Sequence, residues 1–317
     1  EGYHLTANAT PNNPFLPAGQ RSIVYELLDA TVDGDNNVTV NFRILSDGTP
    51  LDLTNLPADL AGPGRFPGLL LAWAQPQGDL MKPMDYNNFG MRSAQPLSLG
   101  LNKFSPIATE GAIGTIAFNG ASGVNTVVIE DGDNQFPEGA TLRAVGLQGY
   151  FQQALNGSNV ALHTPSGVVP VSGDDVRRQV VDNNSCMNCH EWFEGHGGNR
   201  VLNMDICTLC HVPNLSSSGR TITNPSAGLL GQFEDAEDEG TLDPDVDPNN
   251  PLTYPEDAQN FKDLVHGIHS EGARTRSFTH VRGGRQGYYD WSHVTFPTDA
   301  STSTCLLCHK SGSYRLP

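Results

Sequence analysis

The chain has 317 residues, a formal net charge of −17 and six cysteines. That length supports about two domains, each able to bury a core, and the acidic balance argues against nucleic acid as a partner, because a phosphate backbone demands a basic footprint. No window approaches ~18 uninterrupted apolar residues, so no membrane-spanning helix is expected.

Residues 1–175 contain no cysteine and only His4 and His163, whereas residues 176–317 hold all six cysteines and the other eight histidines. The boundary is placed at Gly173-Asp174-Asp175. The first part reads as β structure. Val38, Val40, Phe42 and Ile44 alternate with Thr39, Asn41 and Arg43, the pattern of a half-buried strand. Further short apolar runs are Ile23–Leu28, Leu69–Ala74, Gly114–Phe118, Thr126–Ile129, Thr141–Leu147 and Val160–Leu162. Clusters such as Asp33-Gly34-Asp35-Asn36 and Asn156-Gly157-Ser158-Asn159 punctuate them as turns. About seven short strands separated by turn signals predict an antiparallel sandwich or Greek-key barrel. The whole is therefore expected to be α+β in two domains, a β-sandwich-like domain over 1–175 and a loop-rich, partly helical domain over 176–317.

The second part carries the chemistry. Cys186-Met187-Asn188-Cys189-His190, Cys207-Thr208-Leu209-Cys210-His211 and Cys305-Leu306-Leu307-Cys308-His309 are three copies of Cys-x-x-Cys-His, the attachment signature of c-type haem. Two thiols two residues apart each form a thioether to one porphyrin vinyl group, and the next residue offers an imidazole to the iron. Three haem c groups follow, held by Cys186, Cys189, Cys207, Cys210, Cys305 and Cys308, with His190, His211 and His309 as proximal ligands. A four-cysteine zinc site over Cys186–Cys210 is the competing reading. Zinc has no use for a histidine after each second cysteine, and the third pair would lack a partner pair. Disulfides across two-residue gaps are disfavoured by the small loop they close.

Phe261, Leu264, Val265 and Ile268 fall at i, i+3, i+4 and i+7, predicting a helix. His266 and His269 are neighbours on it and are candidate distal ligands for two haems. His196, followed by Gly197 and Gly198, is the third, because the glycines let backbone approach a ring. His280 and His293 stand behind these three, and His4 and His163 behind them unless another subunit donates them. Met187 and Met204 are the alternative sixth ligands. Two imidazoles per iron close both axial positions and favour electron transfer over substrate chemistry. The acidic run Glu234–Glu239 with Asp243, Asp245 and Asp247 is expected to be a solvated loop, with calcium as the less favoured reading.

Export is expected from the attachment chemistry and from a chain that opens on Glu1 rather than Met, read as a signal peptide removed. With every cysteine used by a haem motif, no lipid anchor is expected on the chain as given. An electron carrier rather than an enzyme is expected, with terminal reduction of metal compatible with it. A reductase with one open iron position and a soluble monomeric shuttle are the alternatives. A short haem chain serves only if electrons leave at both ends, to another multihaem cytochrome, an extracellular acceptor or a neighbouring copy. Copies stacked through contacts that do not close would form a homo-oligomeric filament.

Several stretches also resemble the outer-membrane multihaem c-type cytochromes of the OmcA/MtrC family. They are Arg177–Asp182 with Cys186–His190, His196-Gly197-Gly198-Asn199-Arg200 with Cys207–His211, Phe261–His269, and Phe296-Pro297 followed by Cys305–His309 and Leu316-Pro317. The resemblance covers most of the second part. It implies bis-histidine haems with His196, His266 and His269 in distal positions, a β domain ahead of the haem domain, and extracellular electron transfer to acceptors such as metal oxides or electrodes. Family members typically carry about ten haems in two modules. This sequence reads as one module with three.

Overall fold

A computed structural model describes residues 18–314 except 82, 91–93, 191, 295 and 297–304. His4, Pro297 and the terminal Leu316-Pro317 lie outside the described residues. Two compact units emerge, one comprising Glu1–Cys210 and Cys308–Pro317, the other His211–Leu307.

The first unit begins with β1 (Ile23–Val32), β2 (Val38–Ser46), β3 (Thr49–Pro50), α1 (Ala58–Ala61), β4 (Gly68–Ala74), β5 (Leu97–Gly100), β6 (Gly114–Asn119) and β7 (Val124–Ile129). It continues with β8 (Thr141–Gln148), β9 (Phe151–Leu155), β10 (Ser158–Leu162) and β11 (Gly167–Pro170). One antiparallel sheet runs β1-β2-β7-β6 with β3 added to β2, a second runs β11-β8-β4-β5, and β9 and β10 form a hairpin. The alternation in β2 works as expected: Val38, Val40, Phe42 and Ile44 point into the core and are fully buried. They share one hydrophobic cluster with Leu69, Leu71 and Trp73 of β4, Val127 and Ile129 of β7, and Val145 and Leu147 of β8. Two antiparallel sheets contributing to one core make the sandwich expected from the sequence.

Strand β4 differs from β2, because all seven of its residues are buried. A strand apolar without alternation is covered on both faces. Leu69, Leu71 and Trp73 join the sandwich core. Leu70 and Ala72 turn the other way and pair across the ladder with Gly146 and Ala144 of β8, so that outer face is both apolar and flat.

The expected boundary at 173–175 is tied back onto the sheet. The Asp174 carboxylate accepts hydrogen bonds from Arg143 N, Nε and Nη2 at 2.8–2.9 Å. Beyond it the first unit adds α2 (Asn183–Met187), the two-residue strands β12 (Glu194–Gly195) and β13 (Arg200–Val201), and α3 (Met204–Thr208).

The second unit holds α4 (Ala227–Asp238), α5 (Phe261–His269), β14 (Thr279–Arg282) and β15 (Gly287–Asp290). Helix α5 matches the expected apolar spacing. The acidic run is a correction to the expected loop, since Glu234–Asp238 form the C-terminal half of α4. Ser226 caps that helix by accepting a hydrogen bond from Leu229 N at 3.2 Å. Leu229, Phe233 and Ala236 then bury one face, with Phe233 packed against Tyr254 and Tyr288 at ring distances of 5.1 and 5.4 Å. The acids occupy the opposite, exposed face, so solvation and helix coexist.

Candidate functional site

The first two haem motifs are built on the same local plan. Asp182 caps α2 and Asn203 caps α3, each side chain accepting from the backbone N–H two residues on, at 3.0 Å. One turn later Cys186 Sγ lies 3.9 Å from Asp182 O and Cys207 Sγ 3.9 Å from Asn203 O. The turn after each cysteine is closed by Cys189 N–H donating to Cys186 O and Cys210 N–H donating to Cys207 O, both at 3.2 Å. A capped single turn presents two thiols and then an imidazole, which is what double thioether attachment requires. Cys186, Cys189, Cys207 and Cys308 form no disulfide.

Asn183 joins the two caps. Its Oδ1 accepts from Met204 N at 2.9 Å and its Nδ2 donates to Asn203 Oδ1 at 3.3 Å. The third motif arrives from more than a hundred residues away. Asp182 N–H donates to Cys308 O at 3.0 Å, Lys310 N–H donates to Val180 O at 3.0 Å, and Val181 pairs with His309 as an antiparallel bridge. The thiols sense this assembly. Burial pushes the Cys186 thiol up, and Cys308 adds to the effect. The Cys308 thiol is raised by burial, then by Cys189. Cys207 is pushed up to about 12 by burial, with Cys210, Asp205 and Cys186 adding and Arg200 opposing. Cys186 therefore lies within the electrostatic reach of both Cys207 and Cys308.

The β sandwich seats the second motif. Ile206 and Leu209 are fully buried. A Cβ built on Gly146 would stand 2.5 Å from Ile206 Cδ1 and 2.6 Å from Leu209 Cδ1. Leu209 O also accepts from Asn88 Nδ2 at 2.8 Å. The flat outer face of β4 and β8 is thus the bed on which this loop lies. Gly146→Val is expected to cost about 1–3 kcal/mol by overpacking, read as a lowered midpoint in denaturant unfolding. Sequence reasoning missed Gly146 and Asn88. A lone glycine within the apolar run Thr141–Leu147 was the available signal, because it marks close backbone approach.

Two histidines in the second unit have their ring tautomer set by backbone. His211 Nδ1–H donates to Gln259 O at 2.6 Å and His269 Nδ1–H donates to Val265 O at 2.8 Å. In each the Nδ1 bond leaves the ring lone pair on Nε2. His211 O accepts from Phe261 N at 2.9 Å, so His211 is fixed to the start of the helix bearing His266 and His269. Gly267, between those two, is buried against Phe278, whose ring atoms lie 2.8 Å from where a Cβ would be. His190 packs edge-on to Phe193 at 5.7 Å and His309 to Tyr314 at 5.7 Å.

The other candidates are scattered. His196 lies at the tip of the β12–β13 hairpin, exposed, with φ of +57°. His280 is buried, stacked on Tyr289 at 5.2 Å, and burial pushes its pKa down to about 4 with Arg282 assisting. His293 is on an exposed turn, and His163 contacts Tyr150 and Glu194. Met204 is buried at the start of α3 and Met187 half-buried at the end of α2. Among the described residues no three His, Cys, Asp or Glu side chains are grouped to hold a metal ion. In the acidic segment Asp243 is engaged by Arg276 at 2.7 Å.

The comparisons bear on this geometry. Residues 178–317 match the family model for domains II/IV of the outer membrane cytochromes MtrC/MtrF. The resemblance drawn from Arg177–Cys210 and Phe261–His269 is borne out, and the cytochrome family it matches implies haem c. Among solved structures, the crystal structure of the outer membrane decaheme cytochrome OmcA aligns with 96% of this chain at 15% identity and a TM-score of 0.49. MtrC from Shewanella baltica OS185 aligns with 67% of this chain at 14% identity and a TM-score of 0.36. The chain spans 41% of the OmcA chain and 32% of the MtrC chain. No curated protein matches. Among the described residues no helix is long and apolar enough to cross a membrane.

The donor set fits the group. Each Cys pair precedes a histidine, and a fixed tautomer is set at His211.

Proposed function

We propose that this chain is an extracellular electron-transfer protein carrying three haem c groups, each held between two imidazoles. Haem supplies a one-electron ferric–ferrous couple when bound. The cysteine pairs Cys186/Cys189, Cys207/Cys210 and Cys305/Cys308 attach it, and His190, His211 and His309 are the proximal ligands. His196, His266 and His269 are the distal ones. His280 is assigned to packing, because Phe278 and Tyr289 enclose its ring.

The observation that carries this reading is the convergence of three attachment motifs, from positions far apart in the chain, on residues 180–183: Asn183 bonds Met204 and Asn203, Asp182 bonds Cys308, and Val180 bonds Lys310. Attachment sites that touch one another are useful for passing electrons and not for three separate reactions. The first motif stands between the other two, so the order of transfer is second, first, third. Electrons then leave through partners at either end: another multihaem cytochrome, an external acceptor such as a metal oxide, or a further copy of this chain in a filament.

Visible and electron paramagnetic resonance spectra test the coordination. Every haem is expected to be six-coordinate and low-spin when oxidised, and none to bind carbon monoxide when reduced. A high-spin haem that takes up carbon monoxide would replace this reading with a reductase.

A further inference from the structure

The hairpin β12–β13 brings three consecutive residues into left-handed backbone: His196 (φ +57°), Gly197 (+65°) and Gly198 (+75°). Left-handed conformation costs a non-glycine residue roughly 1–2 kcal/mol, so His196 is held there by its surroundings. Those surroundings come from the β sandwich. His163, directly after β10, places its ring against Gly198, where an added Cβ would stand 2.1, 2.2 and 2.6 Å from Cε1, Nδ1 and Nε2. Only glycine permits that approach. The His163 ring lies 4.5 Å from the ring of Tyr150, and Arg65 caps Tyr150 from 4.9 Å.

The polar contacts close the arrangement. His163 Nδ1 and Glu194 Oε2 are hydrogen-bonded at 3.1 Å, and Trp192 Nε1–H donates to the same oxygen at 2.8 Å. Trp192 is buried, and His163 is largely so. Glu194 opens the hairpin two residues before His196, so one end is pinned. The other end is pinned by Gly149 N–H donating to Asn199 O at 2.8 Å, while Asn199 Nδ2–H donates to His196 O at 2.7 Å.

We infer that His163, with Glu194 and Gly198, is a positioning device by which the β domain holds the His196 imidazole in place for its haem. This rests on the reading of His196 as a distal ligand. His163 does not touch iron in this scheme. It fixes the hairpin that does, which gives the sandwich a direct part in the redox site.

The test compares His196→Ala, His163→Leu, His163→Asn and Gly198→Ala in the purified full chain, matched for haem content. The readouts are the low-spin signal, the carbon monoxide bound per chain after reduction, and the midpoint potentials. His196→Ala is expected to open one haem per chain and sets the ceiling. His163→Leu and Gly198→Ala are expected to open a fraction of that same haem and shift its potential alone. His163→Asn, which keeps a donor for Glu194, is expected to recover part of the low-spin signal. If His196→Ala opens no haem, the distal assignment fails and this inference with it. If His196→Ala opens one haem while His163→Leu and Gly198→Ala leave spectra and potentials unchanged, the assignment stands and the positioning role is overturned. Gly198→Ala leaves the His163–Glu194 pair chemically intact, so it decides the matter if His163→Leu fails to accumulate.

Discussion

Replacing both Cys186 and Cys189 with alanine is expected to break the electron path, whereas removing either of the other two cysteine pairs is expected only to shorten it. Each double variant loses one haem, measurable by intact mass. They differ in what remains. Cys186 lies in the field of both Cys207 and Cys308, and the strand pairing of Val181 with His309 puts the third motif beside the first. With the first haem proposed between the other two, its loss is expected to leave the survivors titrating as independent one-electron centres. Without the second or third, the survivors remain neighbours and should retain coupled titration, in which apparent potentials belong to the pair. Electron flux through the first variant is expected to fall at least about tenfold, or about 1.4 kcal/mol in barrier. A chain ordered as in the sequence would instead be severed by Cys207→Ala with Cys210→Ala. That outcome would discard the order proposed here.

Acid is expected to weaken the second unit through one histidine. His280 is 3% exposed, and its Nδ1 has no hydrogen-bond partner among the described residues. Burial pushes its pKa down to about 4, with Arg282 adding to the effect. Protonation in the folded state is therefore resisted, while the unfolded chain takes up a proton near the ordinary histidine value of about 6.5. The unfolded state binds more protons between those values, so stability rises with pH across that window. The contribution is fully present above about pH 6.5 and is lost progressively as pH falls toward 4. The gap corresponds to about 3 kcal/mol. His280→Phe keeps a ring against Tyr289 without a titrating nitrogen, and it is expected to flatten the loss of thermal stability between pH 6.5 and 4.5. The low-spin haem signal should survive the substitution. Its loss would move His280 from the packing to an iron.

The parts of this protein that follow from local chemistry were legible in its residues. Cys-x-x-Cys-His needs no tertiary context, because the two thiols and the imidazole proposed to hold each haem lie within five consecutive residues. The strand at Val38–Ile44 and the helix at Phe261–His269 were also legible, since a half-buried face imposes its period on the sequence. The acidic run misled because charge reports solvation and not backbone conformation. Ser226, Leu229, Phe233 and Ala236 carried the helical signal, and the charged positions between them hid it. The buried run of β4 announced a covered strand, but not that its second face would carry Leu209 and Ile206 of a haem motif.

The sequence by itself determined the β class of the first part and the motif pattern that carries the family likeness of the second, since periodic burial and short motifs are properties of neighbouring residues. Tertiary structure alone decided that the first motif contacts both of the others and which surface of the sandwich bears the second. It also decided that His163 lies under the loop of His196. Those relations join Val181 to His309, Gly146 to Leu209 and His163 to Gly198, pairs that meet only when the chain folds back on itself. Spacing along a chain carries no record of such meetings, because close packing between distant segments is satisfied by shape and not by any local pattern.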